Sequence, residues 1–147
     1  MKKIFIYYSF SGNGDTVSNY LKRVGFNSYS IFTYDPLPKN KILSIIVGGF
    51  KASINYKDKI EEFGIDLNKY DKIVIGSPIW NSRLSSPINS LLNKIDLTGK
   101  NVTFVLYSGS GKDNKATELL ESKYHSEVIN LKEPKSNNDE LIKLDNL

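Results

Sequence analysis

Three short apolar runs, Ile4-Phe5-Ile6-Tyr7-Tyr8, Lys72-Ile73-Val74-Ile75-Gly76 and Val102 to Tyr107, each end in a loop of small and hydroxyl residues. An amphipathic stretch follows each loop. The runs are too short for core helices and rich in β-branched and aromatic residues, so they read as buried strands. Strands alternating with helices close only as a parallel, doubly wound sheet with helices on both faces. After the first loop, Ser9 to Thr16, the residues Val17, Tyr20, Leu21 and Val24 recur at helical spacing, and Gly25 stands where a C′ glycine ends a helix. Tyr29 to Tyr34 reads as a second strand, stopped by Asp35-Pro36-Leu37-Pro38. Lys41 to Ala52 is apolar enough for a helix interrupted at Gly48-Gly49, and Lys57 to Phe63 adds a helical turn or two. Ser86 is placed as an N-cap with Pro87 at the first helical position, and Ile88, Leu91, Leu92 and Ile95 make the buried face. Lys112 to Tyr124 is a fourth helix, Val128 to Leu131 a fifth strand, and Asn138 to Leu147 a short last helix.

At 147 residues the chain is read as one domain, 1–147, without internal repeats. A domain of this size buries roughly 70% of the surface its unfolded chain exposes. The chain contains no cysteine, which excludes disulfides, thiolate metal sites and thiol catalysis. The apolar run after Met1-Lys2-Lys3 is read as a strand rather than a signal peptide, since no A-x-A-like site follows it. No apolar segment approaches the ~20 residues that span a bilayer, so a cytoplasmic protein without membrane contact is expected. The formal net charge is +4, yet acids interleave with the lysines in Lys57-Asp58-Lys59-Ile60-Glu61-Glu62. That pattern reads as solvated surface, and no nucleic-acid partner is expected.

In open α/β sheets, ligands bind beyond the carboxyl ends of the strands. Three loops lie there: Ser9 to Thr16, Ser77 to Arg83, and Ser108 to Gly111. The first gathers backbone N–H groups at a helix N-terminus, which favours an anion. Ser9, Ser11 and Thr16 add hydroxyls, Gly12 and Gly14 allow close approach, and the loop holds no Lys or Arg. A Walker A loop fails, because Asp113 follows Gly111-Lys112 and Leu106 occupies the first glycine position. The dinucleotide fingerprint has Val17 at its third glycine, although Asp35, about 20 residues on, stands where a ribose acid would. Alternating hydroxyls and glycines without a cation suit a terminal phosphate monoester.

Ser9-Phe10-Ser11-Gly12-Asn13 resembles the [ST]-x-[ST]-G-[NT] phosphate loop of flavodoxins, and Gly76-Ser77-Pro78-Ile79-Trp80 resembles the G-[ST]-P-[IV]-W flavin loop of flavodoxin-like proteins. Tyr70-Asp71-Lys72-Ile73-Val74-Ile75-Gly76 is similar to the strand that precedes that loop, and the resemblance extends from Lys2 to about Leu131. It implies a flavodoxin-like three-layer α/β/α sandwich around a five-stranded parallel sheet of order 2-1-3-4-5, binding FMN. By the same resemblance Ser9, Ser11, Gly12, Asn13 and Gly14 hold the phosphate. Pro78, Ile79, Trp80, Asn81 and Ser82 wrap the flavin ring, and Ser108, Gly109, Ser110 and Gly111 line its other edge. Trp80, the only tryptophan, offers the flat apolar face a flavin needs.

Each feature also has a purely structural reading: Trp80 as a plug over the sheet, the third loop as an ordinary turn, the first as a bare helix cap. His125 reads as a solvated loop residue. The chain departs from the flavodoxin pattern in three ways. Gly14 stands where Thr or Ser is usual, leaving Thr16 as the substitute hydroxyl. The charge is basic where electron-carrying flavodoxins are acidic. The third loop lacks a second stacking aromatic, and Tyr107 precedes it. Arg83, after the flavin loop, is expected to favour the anionic reduced flavin. The resemblance implies an electron carrier, monomeric or weakly dimeric, serving redox partner proteins and needing no catalytic acid or base. Two alternatives stay open: an NAD(P)H-dependent flavin or quinone reductase on the same fold, and a cofactor-free interaction module.

Overall fold

The computed structural model describes residues 1–34, 37–54 and 57–147, with the backbone alone at 52 and 53. Strand β1 (Lys3–Tyr7) leads into helix α1 (Asn13–Arg23), whose Val17 and Leu21 are buried. Gly25 ends the helix as expected, with a left-handed φ of 92° and its N–H on the Lys22 carbonyl at 3.2 Å. That tight exit returns the chain at once to the sheet. Strand β2 is therefore Phe26–Ser30, in parallel register with β1 from Lys3↔Phe26 to Tyr7↔Ser30, rather than Tyr29 to Tyr34. Beyond it, Thr33 forms an isolated antiparallel bridge with Ile60, and Tyr34 N–H reaches the Lys59 carbonyl at 2.8 Å. This pairing ties Lys59 and Ile60 to the 33–34 segment, and residues 57–63 form no helix, where a helical turn was expected. Asp35 and Pro36, and with them the proposed ribose acid, lie outside the described residues.

Helix α2 (Lys41–Ser53) runs unbroken through Gly48 and Gly49. A short 3₁₀ turn at Leu67–Lys69, capped by the Asp66 carboxylate on Asn68 N–H, leads into β3 (Lys72–Trp80). This strand is longer than its apolar signature: it pairs in parallel with β1 and with β5 (Val102–Ser108) as far as Pro78↔Tyr107. Its end turns back as an antiparallel two-residue strand, β4 (Arg83–Leu84). Helix α3 (Ser86–Leu92) starts from Ser85 at the cap position, so Ser86 is its first residue. Helix α4 (Asn114–Tyr124), β6 (Glu127–Lys132) and a 3₁₀ helix at Asn138–Leu144 complete the chain.

The sheet order is β2-β1-β3-β5-β6, with β4 off β3. Its five parallel strands follow the expected order, and the short β4 hairpin arm makes the sheet six-stranded. Alternation along the strands divides the core in two. Ile4, Ile6, Ile73, Ile75, Phe104 and Leu106 pack with Ile88 and Leu91 of α3 and Ala116 and Leu120 of α4. Phe5, Tyr7, Val74 and Val105 pack on the opposite face with Val17 and Leu21 of α1 and with Leu141 and Leu144. Chain order reverses between β1 and β3, and the loops that follow both strands open at that crevice.

Candidate functional site

The first loop is shaped by Gly12, the N-cap residue of α1, in left-handed conformation at φ 95°. Having no side chain, Gly12 cannot cap the helix. The bond that reaches the first turn from a side chain is long, 3.4 Å from Asp15 N–H to Ser9 Oγ. A helix end with such weakly satisfied amides favours an anion. Ser11 Oγ accepts from Asn13 Nδ2 at 3.1 Å, which leaves its own proton for another acceptor. Thr16 differs: its hydroxyl donates to the Gly12 carbonyl at 3.1 Å, so its proton serves the loop's own backbone. Tyr7 donates to Asp15 Oδ1 at 3.0 Å and ties that carboxylate to β1.

The second expected loop is built differently. Pro78, Ile79 and Trp80 continue β3, and only Asn81 and Ser82 form a turn, with φ of 50° and 57°. Positive φ at both central residues is the geometry of a tight two-residue hairpin, and it sets Trp80 opposite Arg83. Buried Ser77 fixes the base of this hairpin, its Oγ accepting from Ser85 N–H at 3.0 Å. Trp80 is half-buried and meets Tyr8 edge-on at 6.4 Å and Phe10 at 6.1 Å. Helix α2 also lies against the indole, where a Cβ on Gly48 would come within 3.1 Å of Trp80 Cε3. The glycine that interrupts the apolar run of α2 is thus the point at which that helix meets the indole.

In the third loop the hydroxyls serve the turn. Ser108 Oγ accepts from Gly111 N–H at 3.0 Å, and Ser110 donates to the Lys112 carbonyl at 2.7 Å. Gly111, at φ 66°, lies so close to Lys132 of β6 that no side chain fits there, whereas a Cβ on Gly109 would meet open space. Tyr107 points into the core, 2% exposed, and its hydroxyl donates to the Tyr8 carbonyl beneath the first loop. Burial pushes its hydroxyl pKa well above the ordinary value, and pushes that of Tyr8 up to about 12 with help from the Asp58 charge. His125 is exposed as the left-handed cap of α4. Arg83 lines a cavity of about 420 Å³ beside α3 and α4.

Two residues join this site that the sequence pattern did not single out. Phe10, 42% exposed, connects the first loop to Trp80; an aromatic among hydroxyls in a ligand loop was a readable signal. Lys135 lies against the first loop from 122 residues away in sequence, and no local pattern marks it.

The sequence profile of the flavodoxin family matches residues 2–146. Among solved structures, a flavoprotein of Lactobacillus acidophilus in complex with FMN is 22% identical, with 94% of this chain and 97% of that one covered, at a TM-score of 0.67. A candidate flavoprotein of Bacteroides eggerthii is 20% identical over 96% of both chains, also at 0.67. The apo form of the Lactobacillus acidophilus flavoprotein is 20% identical over 87% of this chain and 88% of that one, at 0.57. At these identities the likeness is one of fold. No match was found among curated proteins.

Proposed function

The chain belongs to the flavodoxin family, and from that premise we propose that it binds FMN and carries electrons between redox partner proteins. The observation that carries this reading is the convergence of three chain segments at the switch point of the sheet. These are the Ser9 to Asn13 loop after β1, the Trp80 hairpin after β3, and the turn at Ser108 to Gly111 after β5. The donor set of the first loop fits a phosphate monoester, combining a weakly capped helix end, a free Ser11 proton and a glycine cradle. The flavoprotein of Lactobacillus acidophilus, similar in fold, is itself complexed with FMN. When bound, FMN supplies the redox chemistry, and the protein binds and orients it.

In this reading Ser9, Ser11, Gly12, Asn13 and Gly14 hold the phosphate, with Thr16 stabilising the loop's backbone. Pro78, Ile79, Trp80, Asn81 and Ser82 contact the ring, and Ser108, Gly109, Ser110 and Gly111 border it through backbone groups. Trp80 and Phe10 present apolar surface and exclude water. Among the described residues no helix is long and apolar enough to cross a membrane. We place the protein in the cytoplasm, as a monomer or weak homodimer without nucleic-acid partners. The test is an absorption spectrum of the purified protein before and after adding FMN. Flavin bands that remain through gel filtration support the reading, and a colourless protein that takes up no FMN overturns it in favour of an interaction module.

One observation favours a second reading, an NAD(P)H-dependent flavin or quinone reductase. Tyr107 is committed to the core, so the third loop brings no aromatic to cover a second flavin face. Rapid oxidation of NAD(P)H by the FMN-loaded protein would favour it over the carrier.

A further inference from the structure

We propose that Lys135 supplies the positive charge of the phosphate site, brought to the first loop by the turn that follows β6. This rests on the FMN reading above. Residues 9–16 contain one acid, Asp15, and no Lys or Arg, so the loop itself offers a dianion only dipoles and hydroxyls. Lys135 changes that. Its backbone N–H donates to Asn13 Oδ1 at 3.0 Å, and its Nζ donates to the Ser11 carbonyl at 3.2 Å. The side chain lies along Gly12, where a Cβ would come within 3.1 Å of both Lys135 Cδ and Nζ.

The turn that carries Lys135 is firmly held. Ser136 and Asn137 N–H groups both donate to the Glu133 carbonyl, at 2.8 and 3.0 Å, with Glu133 itself at a left-handed φ of 40°. Asn137 Nδ2 closes onto the Lys132 carbonyl at 3.0 Å. Glu133 N–H donates to the Ser108 carbonyl at 3.0 Å, so the same turn braces the third loop. Docking of the turn needs only the Lys135 backbone. Its side chain has a different logic: the ion pairs found among the described residues join Lys51 to Asp58 and Lys143 to Glu140, and none involves Lys135. Ordering a lysine side chain costs rotamer entropy. One exposed bond to a neutral carbonyl offsets little of that cost. An ammonium has three donors, and a phosphate beside Ser11 would engage those left over in charge-assisted bonds.

The experiment titrates apoprotein with FMN and with riboflavin, following flavin fluorescence, for the native chain, Lys135→Gln and Lys135→Arg. Thermal melts check that the exposed substitutions leave the fold intact. Lys135→Gln is expected to weaken FMN about ten-fold at low salt, with riboflavin unchanged and Lys135→Arg near native. The gap between native and Lys135→Gln should narrow as salt is raised. If the native chain prefers FMN and Lys135→Gln keeps that preference in full, the inference is overturned while the FMN reading stands. Equal losses for FMN and riboflavin in Lys135→Gln also overturn it, since the residue would then act through the fold. A native chain that binds both flavins equally overturns the phosphate-loop reading together with this inference.

Discussion

A Cβ on Gly14 would lie 2.6 Å from the Tyr107 hydroxyl, 2.8 Å from Tyr7 Cδ2 and 2.9 Å from Ser9 Cβ. Three neighbours from two strands and the loop close on one position, so a side chain there must displace the tyrosine that ties β5 to the end of β1. The Thr or Ser usual in flavodoxins at this place is therefore shut out by packing. The hydroxyl is not recovered from Thr16, which spends its proton on the Gly12 carbonyl. Gly14→Thr should lower stability by about 1–3 kcal/mol, as overpacking of a tight site does, and the midpoint of urea unfolding measures it. An unchanged midpoint would show that Tyr107 yields freely. Ser11 works at the same scale with the opposite logic: its oxygen is engaged by Asn13 and its proton is free. Ser11→Ala should weaken FMN by roughly 10- to 150-fold, the loss of one charge-assisted hydrogen bond, and leave riboflavin nearly unaffected. Parallel losses for both ligands in a fluorescence titration would put the phosphate elsewhere.

Between elements, the decisive contact is the one that keeps α2 over Trp80. Asp58, 5% exposed, accepts from Lys51 Nζ of α2 at 2.7 Å through Oδ1 and from Ser86 Oγ of α3 at 2.6 Å through Oδ2. Its carbonyl accepts from Ser90 Oγ at 2.5 Å, so one residue joins α2, the 57–60 segment and α3. Asp58→Ala leaves the Lys51 ammonium without that carboxylate in a site where its side chain is only 17% exposed. Losing the part-buried bonds that this carboxylate accepts from Lys51 and Ser86 costs about 1–3 kcal/mol. Asp58→Ala should therefore unfold at lower denaturant and shift Trp80 emission to the red as α2 loosens; unshifted emission would mean that the hairpin alone positions the indole. The charge-rich run 57–62 read as solvated surface, and the structure corrects this for Asp58. Its signal was present as a period of two: Asp58 and Ile60 face inward, while Lys57, Lys59 and Glu61 face outward. A helical turn was expected here, and only the bridge to Thr33 makes the alternation meaningful. The same holds for the hairpin after β3, where Asn81 was a readable turn residue but the pairing that extends the strand to Trp80 is supplied by β4 and β5.

Across the whole molecule, the parallel sheet and its two helical layers were legible because each strand carries its own burial pattern and each helix its own spacing. Contacts between distant segments were not, and Lys135 on the first loop and Tyr107 beneath it are of that kind. Three tyrosines of this central region give the fold a shared property. Tyr7, Tyr8 and Tyr107 come from β1, its exit and β5, and all three hydroxyls titrate above their ordinary value of 10.0, chiefly because burial disfavours the phenolate. The Asp58 charge adds to the effect on Tyr8, which reaches about 12. In the unfolded chain these groups lose their protons near pH 10, while in the folded protein they keep them to higher pH. The unfolded state therefore binds fewer protons in this window, and folding stability must fall as pH rises. The contribution of Tyr8 is complete below pH 10 and is lost as pH approaches about 12, and Tyr107, also raised by burial, acts in the same direction. Comparison with a variant isolates the contribution of one tyrosine. Tyr8→Phe keeps the ring against Trp80 and removes only the titrating hydroxyl. Its urea midpoint, followed from pH 9 to pH 12, should decline less steeply than that of the native chain and converge with it at the lower end, allowing for a constant offset. Parallel declines across the window would show that the Tyr8 hydroxyl ionises alike in the folded and unfolded states, and that burial at the end of β1 does not hold its proton.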